Sequence, residues 1–565
     1  MDLLKKSVKN NLFWIVLIVI FTIPSFWNLL RQGYFPMQDD LQAFRVQQMD
    51  KCLSDLQIPC RWVPDAGYGY GYPQFNYYPP SVYYAGAILH RFGIQYIDTV
   101  KILFVLGYIG SALAMFIFVN ALLGQWPAFV ASVLYTYVPY KAVEVYVRGA
   151  MSEFWSLTFF PLILWSIYML VNKKKKKYFA WFALFLGLLL TTHNLMSLIF
   201  APVAIVWSIY WIIAKNKSEY LNYKKWKPVV LSGLLGVGLA AFFTLPVIIE
   251  KKFAHVDSVL SGYFDYRQHF VSLYKLFLSR EWGYGSSGFP NEKLNLSLGI
   301  VQWISGIGAG ILALLNFKKD KQRSILVIGI ILLTVFSIFM IHMKSSFIWA
   351  QLPFLWYLQF PWRFLAVSIF LLSLLVGYFV FLSGKFKYLV GVVLIAAAFI
   401  LNVGYFVPKD WFYITDKDKF SGINWQKQMT ISIFDYLPIY AELPPINEAP
   451  KTPEVLDGNA LFINYEKGSD FQIGEVKVID ESIIRLPLFD FPGMEVRVDG
   501  QKIDYVNNDC RGEEFCYGLI TFKIQSGQHK IEARLKDTPI RMVGNIVSLS
   551  SLVILLILAF KRKDE

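Results

Sequence analysis

Charge is what this 565-residue chain has little of. Only 17% of its residues are charged, against 56% hydrophobic and 17% aromatic, at a mean hydropathy of +0.44. A soluble protein of this length carries more charge and few apolar runs near twenty residues, so the soluble classes are excluded. The apolar runs hold almost no ionisable residues. That argues against a proton- or ion-coupled transporter, which places such groups at mid-membrane depth. No small-residue cleavage motif follows the first apolar run, Leu12 to Leu30, so the expectation is an uncleaved first span, not a signal peptide. The net charge of +14 would point to nucleic acid in a soluble protein. Here the lysines stand in short clusters between apolar runs, the pattern of membrane topology without a nucleic-acid partner.

What is present is a series of twelve apolar runs: 12–30, 100–120, 126–140, 153–171, 178–192, 195–214, 228–249, 298–316, 324–342, 364–383, 388–407 and 542–560. Runs 126–140 and 178–192 are short for a span. With twelve spans every basic cluster falls on the cytoplasmic side, as the positive-inside rule asks. These clusters are Lys5/Lys6/Lys9, Lys173 to Lys177, Lys215 to Lys227, Lys318 to Arg323, Lys385/Lys387 and Lys561 to Lys563. Both termini are then cytoplasmic, in a multi-pass protein of the plasma membrane. Ser81 to Leu89 is apolar but short and follows Pro79-Pro80, so it reads as a helix lying in the interface. The expected fold class is mainly α, a polytopic helical bundle. It divides into a membrane domain 1–407 with a long first outer loop 32–98, an outer domain 408–541, and a final span 542–560.

Within the outer domain the pattern turns to period two from about Asp470, with Asp499-Gly500 and Ser526-Gly527 placed as hairpin turns. A small β-sandwich of roughly 70 residues is expected, a lid or partner-binding module without catalysis. Region 408–469, rich in Pro, Asp and aromatics, shows no readable pattern. Cysteine is scarce: Cys52 and Cys60 lie in the first loop, Cys510 and Cys516 in the outer domain. In an oxidising exterior local disulfides within each pair are expected; otherwise the four are free thiols. No His stands near either pair, which disfavours zinc.

The chemistry-bearing residues cluster in the outer segments. Asp39 and Asp40 follow the first span by about ten residues. Two adjacent carboxylates there serve either as a helix cap and dipole partner or as a site, one holding a divalent cation and the other taking a proton from a hydroxyl. Asp40 is preferred as base because it is nearer the expected helix start. Gly67 to Pro80 interleaves Gly, Tyr and Asn, and Asn76 and Tyr78 offer an amide and an aromatic face to a sugar; an interfacial aromatic belt explains the composition equally well. Arg148 and Glu153 sit at the mouth of a span, where the Arg grips a phosphate or the two pair with each other. His193 stands at a tight outer turn, as an interfacial residue or a catalyst. Arg363, in Gln359-Phe-Pro-Trp-Arg363, is a cation on the disfavoured outer side and points to an anionic ligand such as a lipid phosphate.

The acidic pair, the Tyr77-Tyr-Pro-Pro-Ser81 helix start and the dozen apolar runs resemble the GT-C superfamily of membrane glycosyltransferases. Phe360-Pro-Trp-Arg-Phe364, Arg148-Gly-Ala-Met-Ser-Glu153, Leu486 to Gly493 and Lys536 to Arg541 resemble bacterial YfhO-type membrane proteins. The resemblance implies an inverting transfer of a sugar from a polyprenyl-phosphate carrier to an extracytoplasmic acceptor: a cell-wall polymer, lipid or protein. Asp39 or Asp40 would serve as base or metal ligand. Some members use a divalent cation (Mg or Mn) and others none. The rival classes are a flippase of lipid-linked intermediates, which needs ionisable groups along a path at mid-depth, and a non-catalytic scaffold, whose first-loop carboxylates would share no cavity with Glu153 and Arg363.

Overall fold

The computed structural model describes residues 2–173, 175–216, 219–288 and 292–560. Each of the twelve apolar runs contains a helix. Among the described residues eight helices are long and apolar enough to cross a membrane, nine if the pair Tyr223–Leu239 and Ala241–Ile249, bent by 73°, counts as one span. This is fewer than the twelve expected. The other three runs form shorter helices, Gln125–Thr136, Lys176–Thr192 and Ile300–Leu315. A helix of 12 residues is about 18 Å long, well short of the hydrocarbon core. Gln125–Thr136 is buried at every residue from Pro127 to Thr136, so its apolar character serves protein packing and not lipid. Hydropathy along a sequence does not separate the two. The basic cluster at Lys561 to Lys563 lies outside the described residues, as do Lys174 and Lys217.

Ser81–His90 is a ten-residue helix, too short to span, packed against the helices Gln42–Ser54 and Tyr96–Leu123. Gln42–Ser54 buries Phe44, Val46, Met49 and Cys52; of the apolar face that Leu41, Phe44, Met49 and Leu53 lead one to expect, Leu53 alone is only half-buried. The structure pairs Cys52 with Cys60 and Cys510 with Cys516, at Cα separations of 5.6 and 5.0 Å. Non-reducing peptide mapping of the protein is expected to recover these two local links; a link between the loop and the outer domain would contradict this arrangement.

The region expected as the outer domain, 408–541, holds one six-stranded antiparallel sheet in place of the expected sandwich. Its strands are β1 (Glu454–Lys467), β2 (Phe471–Phe489), β3 (Met494–Val498), β4 (Gln501–Ile503), β5 (Leu519–Ile524) and β6 (Gly527–Leu535), in the order β1-β2-β6-β3-β4, with β5 also on β2. Val498 faces Gln501, so Asp499-Gly500 is a two-residue hairpin, with φ of +51° and +79° as that turn requires. Ser526-Gly527 is not a hairpin. Ile524 faces Ser482 and Gly527 faces Val478, so β5 and β6 run on in one direction beside the long β2, kinked between them. β1 falls in the region that showed no pattern, because as an exposed edge strand it buries neither face.

Loop and sheet are not separate modules. Trp62, Tyr70 and Tyr77 share a buried cluster with Val476, Ile484, Leu486, Phe489, Phe491 and Ile531. Gly71 allows this, since a Cβ there would fall 2.3 Å from the Trp62 indole nitrogen. The aromatics of the Gly67–Tyr72 stretch therefore dock the sheet: Tyr70 packs on Phe489 at 5.4 Å and the Phe489 amide donates to the Tyr70 carbonyl.

Candidate functional site

Three helix ends and the first outer loop converge on one cavity of about 880 Å³. Met151–Lys173 starts there, Lys176–Thr192 ends there and Asn194–Asn216 starts there, because Glu153, His193 and Asn194 all line it. A helix of 23 residues runs about 34 Å, so Lys173, Lys175 to Lys177 and Lys215 lie at the opposite end of the bundle from the cavity.

The first loop is strapped to the next outer segment by backbone. The Gln38 and Asp39 amides donate to the Val147 and Arg148 carbonyls at 2.9 and 2.8 Å. Val143–Arg148 is a π-helical turn, a widening common at functional sites, and it ends at Gly149 with φ of +68°. A Cβ on Gly149 would meet the Met37 sulfur at 2.2 Å, so only glycine allows this approach.

Around Arg148 stands a chain of alternating charge. Its guanidinium donates to Glu144 and, at 2.9 Å, to Glu153 Oε2, and packs over the Trp362 ring at 4.5 Å. Arg363 Nε reaches the same Glu153 Oε2 at 3.3 Å, and its Nη1 donates to both the Leu358 carbonyl and Gln359 Oε1. Glu153 Oε1 accepts from Tyr140 at 2.5 Å. The mutual pairing of Arg148 and Glu153 and the lining of the cavity are thus both present. His193 breaks two helices in extended conformation; its Nδ1 accepts the Met196 amide, which places the proton on Nε2. Burial pushes its imidazole down to about 3, against the nearby Glu153 and with the help of Arg363 and Arg148. A neutral N–H donor results.

Of the two adjacent acids, Asp39 faces the cavity and Asp40 does not. Asp39 Oδ2 accepts from Gln42 Nε2 at 2.9 Å and Arg45 at 2.7 Å. Arg45, 4% exposed, also reaches the Tyr78 hydroxyl and stacks on its ring at 4.3 Å. Asp40 turns away and pairs with Lys419 of the outer domain at 2.6 Å. Burial raises its carboxyl, although Lys419 pulls the other way. Asp39, and not the Asp40 preferred from the sequence, is thus the acid of the pair that lines the cavity. Neither acid caps the helix: it starts at Gln42 with Leu41 in the capping position. Asn76 is also outside the cavity; it is fully buried, donates to Glu250 at 3.0 Å and accepts from Arg61. Of the candidates, Asp39, Tyr78, Arg148, Glu153, His193 and Arg363 share the cavity.

A divalent cation does not fit the acidic pair. Each carboxylate is held by its own cation, Arg45 or Lys419, and they point apart. Among the described residues no three His, Cys, Asp or Glu side chains converge on a metal position. Arg45, Lys251 and Asp435 also line the cavity and were not singled out by sequence. A signal for Arg45 existed: it is a cation next to Phe44 on the buried side of an amphipathic helix. Asp435 lies in the region without a pattern; burial and Asp39 push it up to about 6, against the pull of Arg45.

The sequence profile of the 6-pyruvoyl-tetrahydropterin synthase related domain, a membrane protein family, matches residues 75–414. The chain belongs to this family. The matched stretch contains Tyr78, Arg148, Glu153, His193 and Arg363, and two of the four segments that resemble YfhO-type proteins, 148–153 and 360–364; Leu486 to Gly493 and Lys536 to Arg541 lie beyond it. Asp39 and Arg45 precede it and Asp435 follows it. No curated protein sequence matches the chain. The cryo-EM structure of the arabinofuranosyltransferase AftD from Mycobacteria is similar at a TM-score of 0.46 and 14% identity, over 71% of this chain and 27% of that one. The chain therefore spans only about a quarter of the length of that enzyme.

Proposed function

We propose that this membrane protein is an inverting GT-C-type glycosyltransferase. It moves one sugar from a polyprenyl-phosphate donor to an extracytoplasmic acceptor. The observation that carries this reading is the single cavity joining the Asp39 carboxylate to Arg148 and Arg363 at the end of the bundle away from the lysines. Asp39 Oδ2 is fully used by Gln42 and Arg45, and Oδ1 carries no hydrogen bond among the described residues. In the reaction Oδ1 takes the proton of the acceptor hydroxyl as its oxygen bonds the anomeric carbon. The bond from that carbon to the phosphate oxygen breaks on the opposite face. Arg148, Arg363 and the Nε2–H of His193 receive the charge that builds on the leaving phosphate. Arg45 orients Asp39 through its hydrogen bond to Oδ2.

The rival classes fit less well. Glu153 is the third residue of its helix, His193 lies between two helices and Arg363 precedes Leu365–Leu382, so these groups sit at helix ends and not along a path at mid-depth. A scaffold gives no reason for Asp39 to share a cavity with Glu153 and Arg363.

Mass spectrometry of surface glycans and lipid-linked sugars, from cells with and without the gene, is expected to show loss of one glycan and accumulation of its lipid-linked donor. Unchanged profiles for both would refute the enzyme reading. Orientation follows from the lysine end being cytoplasmic. A reporter fused after Lys177 is expected to read cytoplasmic and one near Gly458 external, with both termini inside; the reverse at either point would place the cavity on the wrong side for this reaction.

A further inference from the structure

One wall of the cavity comes from the outer domain, beyond the stretch that the family profile matches. Ile431, Ser432, Asp435 and Tyr436 form it. The segment leaves the helix Gly422–Thr430 and turns at Ser432, a non-glycine residue with φ of +60°. It is clamped on both sides. The Tyr72 hydroxyl donates to the Ser432 carbonyl at 3.0 Å and accepts the Tyr436 amide at 2.6 Å. The His255 amide donates to the Leu437 carbonyl and the Ile439 amide to the Phe253 carbonyl, both at 2.9 Å. Tyr436 stacks on Tyr77 at 5.5 Å and 27°. Asp435 is therefore a carboxylate built into the wall on a fixed backbone.

Its electrostatic neighbours are Arg45 and Asp39, whereas those of Glu153 are Arg148, Arg363 and His193. The cavity thus has two charge clusters. In the Asp39 cluster the cation Arg45 already bonds Asp39 and the Tyr78 hydroxyl. With Asp435 this cluster holds two carboxylates against Arg45, and so an excess of hydrogen-bond acceptors, beside the stacked Tyr77–Tyr436 pair; Lys251 also lines the cavity but lies over the Tyr357 ring at 5.4 Å and is not among the charged neighbours of Asp435. Carboxylates accept from sugar hydroxyls, aromatic faces cover the C–H face of a ring, and a second anion brought between two carboxylates is repelled.

We propose that Asp435 is a specificity-determining residue that reserves this end of the cavity for an uncharged, hydroxyl-bearing sugar and excludes acidic sugars. The proposal rests on the lipid-phosphate transferase reading and adds the class of sugar. Selection works here by a repulsive element as well as an attractive one.

The test uses the full-length protein in nanodiscs and measures binding of farnesyl phosphate, of farnesyl phosphates carrying glucose, galactose or arabinose, and of one carrying glucuronic acid. Wild-type protein is expected to bind at least one neutral conjugate more tightly than the glucuronyl conjugate, by about tenfold or more. Asp435→Asn removes the charge and keeps the shape; it is expected to narrow the gap to about threefold or less, while Asp435→Glu restores it. If the Asn variant melts early without ligand, Asp435→Ser takes its place. Wild-type protein that binds the glucuronyl conjugate as well as every neutral one overturns the proposal, as does undiminished discrimination in the variants. If farnesyl phosphate and all its conjugates fail to bind, the donor reading itself falls and the proposal with it.

Discussion

Asp39→Asn is expected to abolish sugar transfer in a protein that still folds and inserts. Asn keeps the size of the side chain, and its oxygen still accepts from Gln42 and Arg45, which hold Asp39 at 2.9 and 2.7 Å. The Asp39 side chain is 33% exposed, so solvent screens its pairing with Arg45, and the stability lost is about 1 kcal/mol or less. What disappears is basicity. Loss of a general base lowers transfer by about 10²–10⁴-fold. Asp40→Asn separates the two acids. It loses the ion pair to Lys419, which ties the outer domain to the first loop, but leaves the cavity wall as it was. Transfer is expected to persist in that variant. Both are read by glycan mass spectrometry in cells lacking the native gene, with membrane levels checked by immunoblot. Full transfer with Asp39→Asn would remove the base from the mechanism.

The largest effect on stability is expected at Glu250. This residue ends the bent pair of helices, is 1% exposed, and meets Arg541, 0% exposed, at 2.9 Å. Its carboxylate also accepts from Asn76 and Thr538, and its carbonyl from the Tyr77 hydroxyl. The first loop, the bent pair and the start of the final helix, Pro539–Phe560, are joined at this one carboxylate. Glu250→Ala leaves the Arg541 guanidinium buried without its charged partner, which costs about 3–5 kcal/mol. Thermal or denaturant unfolding in detergent is expected to show that loss. Replacing both partners by apolar residues, Glu250→Leu with Arg541→Met, is expected to recover much of it, since no unpaired charge is then left in the interior. Unfolding of Glu250→Ala indistinguishable from the parent protein would show that water reaches Arg541.

Several features are legible in the sequence because their causes are local. An apolar run of about twenty residues has to satisfy its backbone internally, so it becomes a helix whatever surrounds it. Asp499-Gly500 supplies two left-handed residues in a row and makes a hairpin. Ser81–His90 is too short to span, and the cysteines eight and six residues apart need no distant help to meet. Other features turn on partners far along the chain. Ser526-Gly527 has turn chemistry, yet the unbroken length of β2 offers both flanking strands an edge and draws them into one kinked run. Gln125–Thr136 is as apolar as a span because it is enclosed by protein. The two neighbouring carboxylates differ for the same reason. Asp39 is turned into the cavity by backbone bonds to Val147 and Arg148, and Asp40 is turned out of it by Lys419, 379 residues later. Composition and spacing determine which segments become helices, strands and local turns; which carboxylate faces the arginines is decided by ion pairs and backbone bonds that form only when distant segments pack.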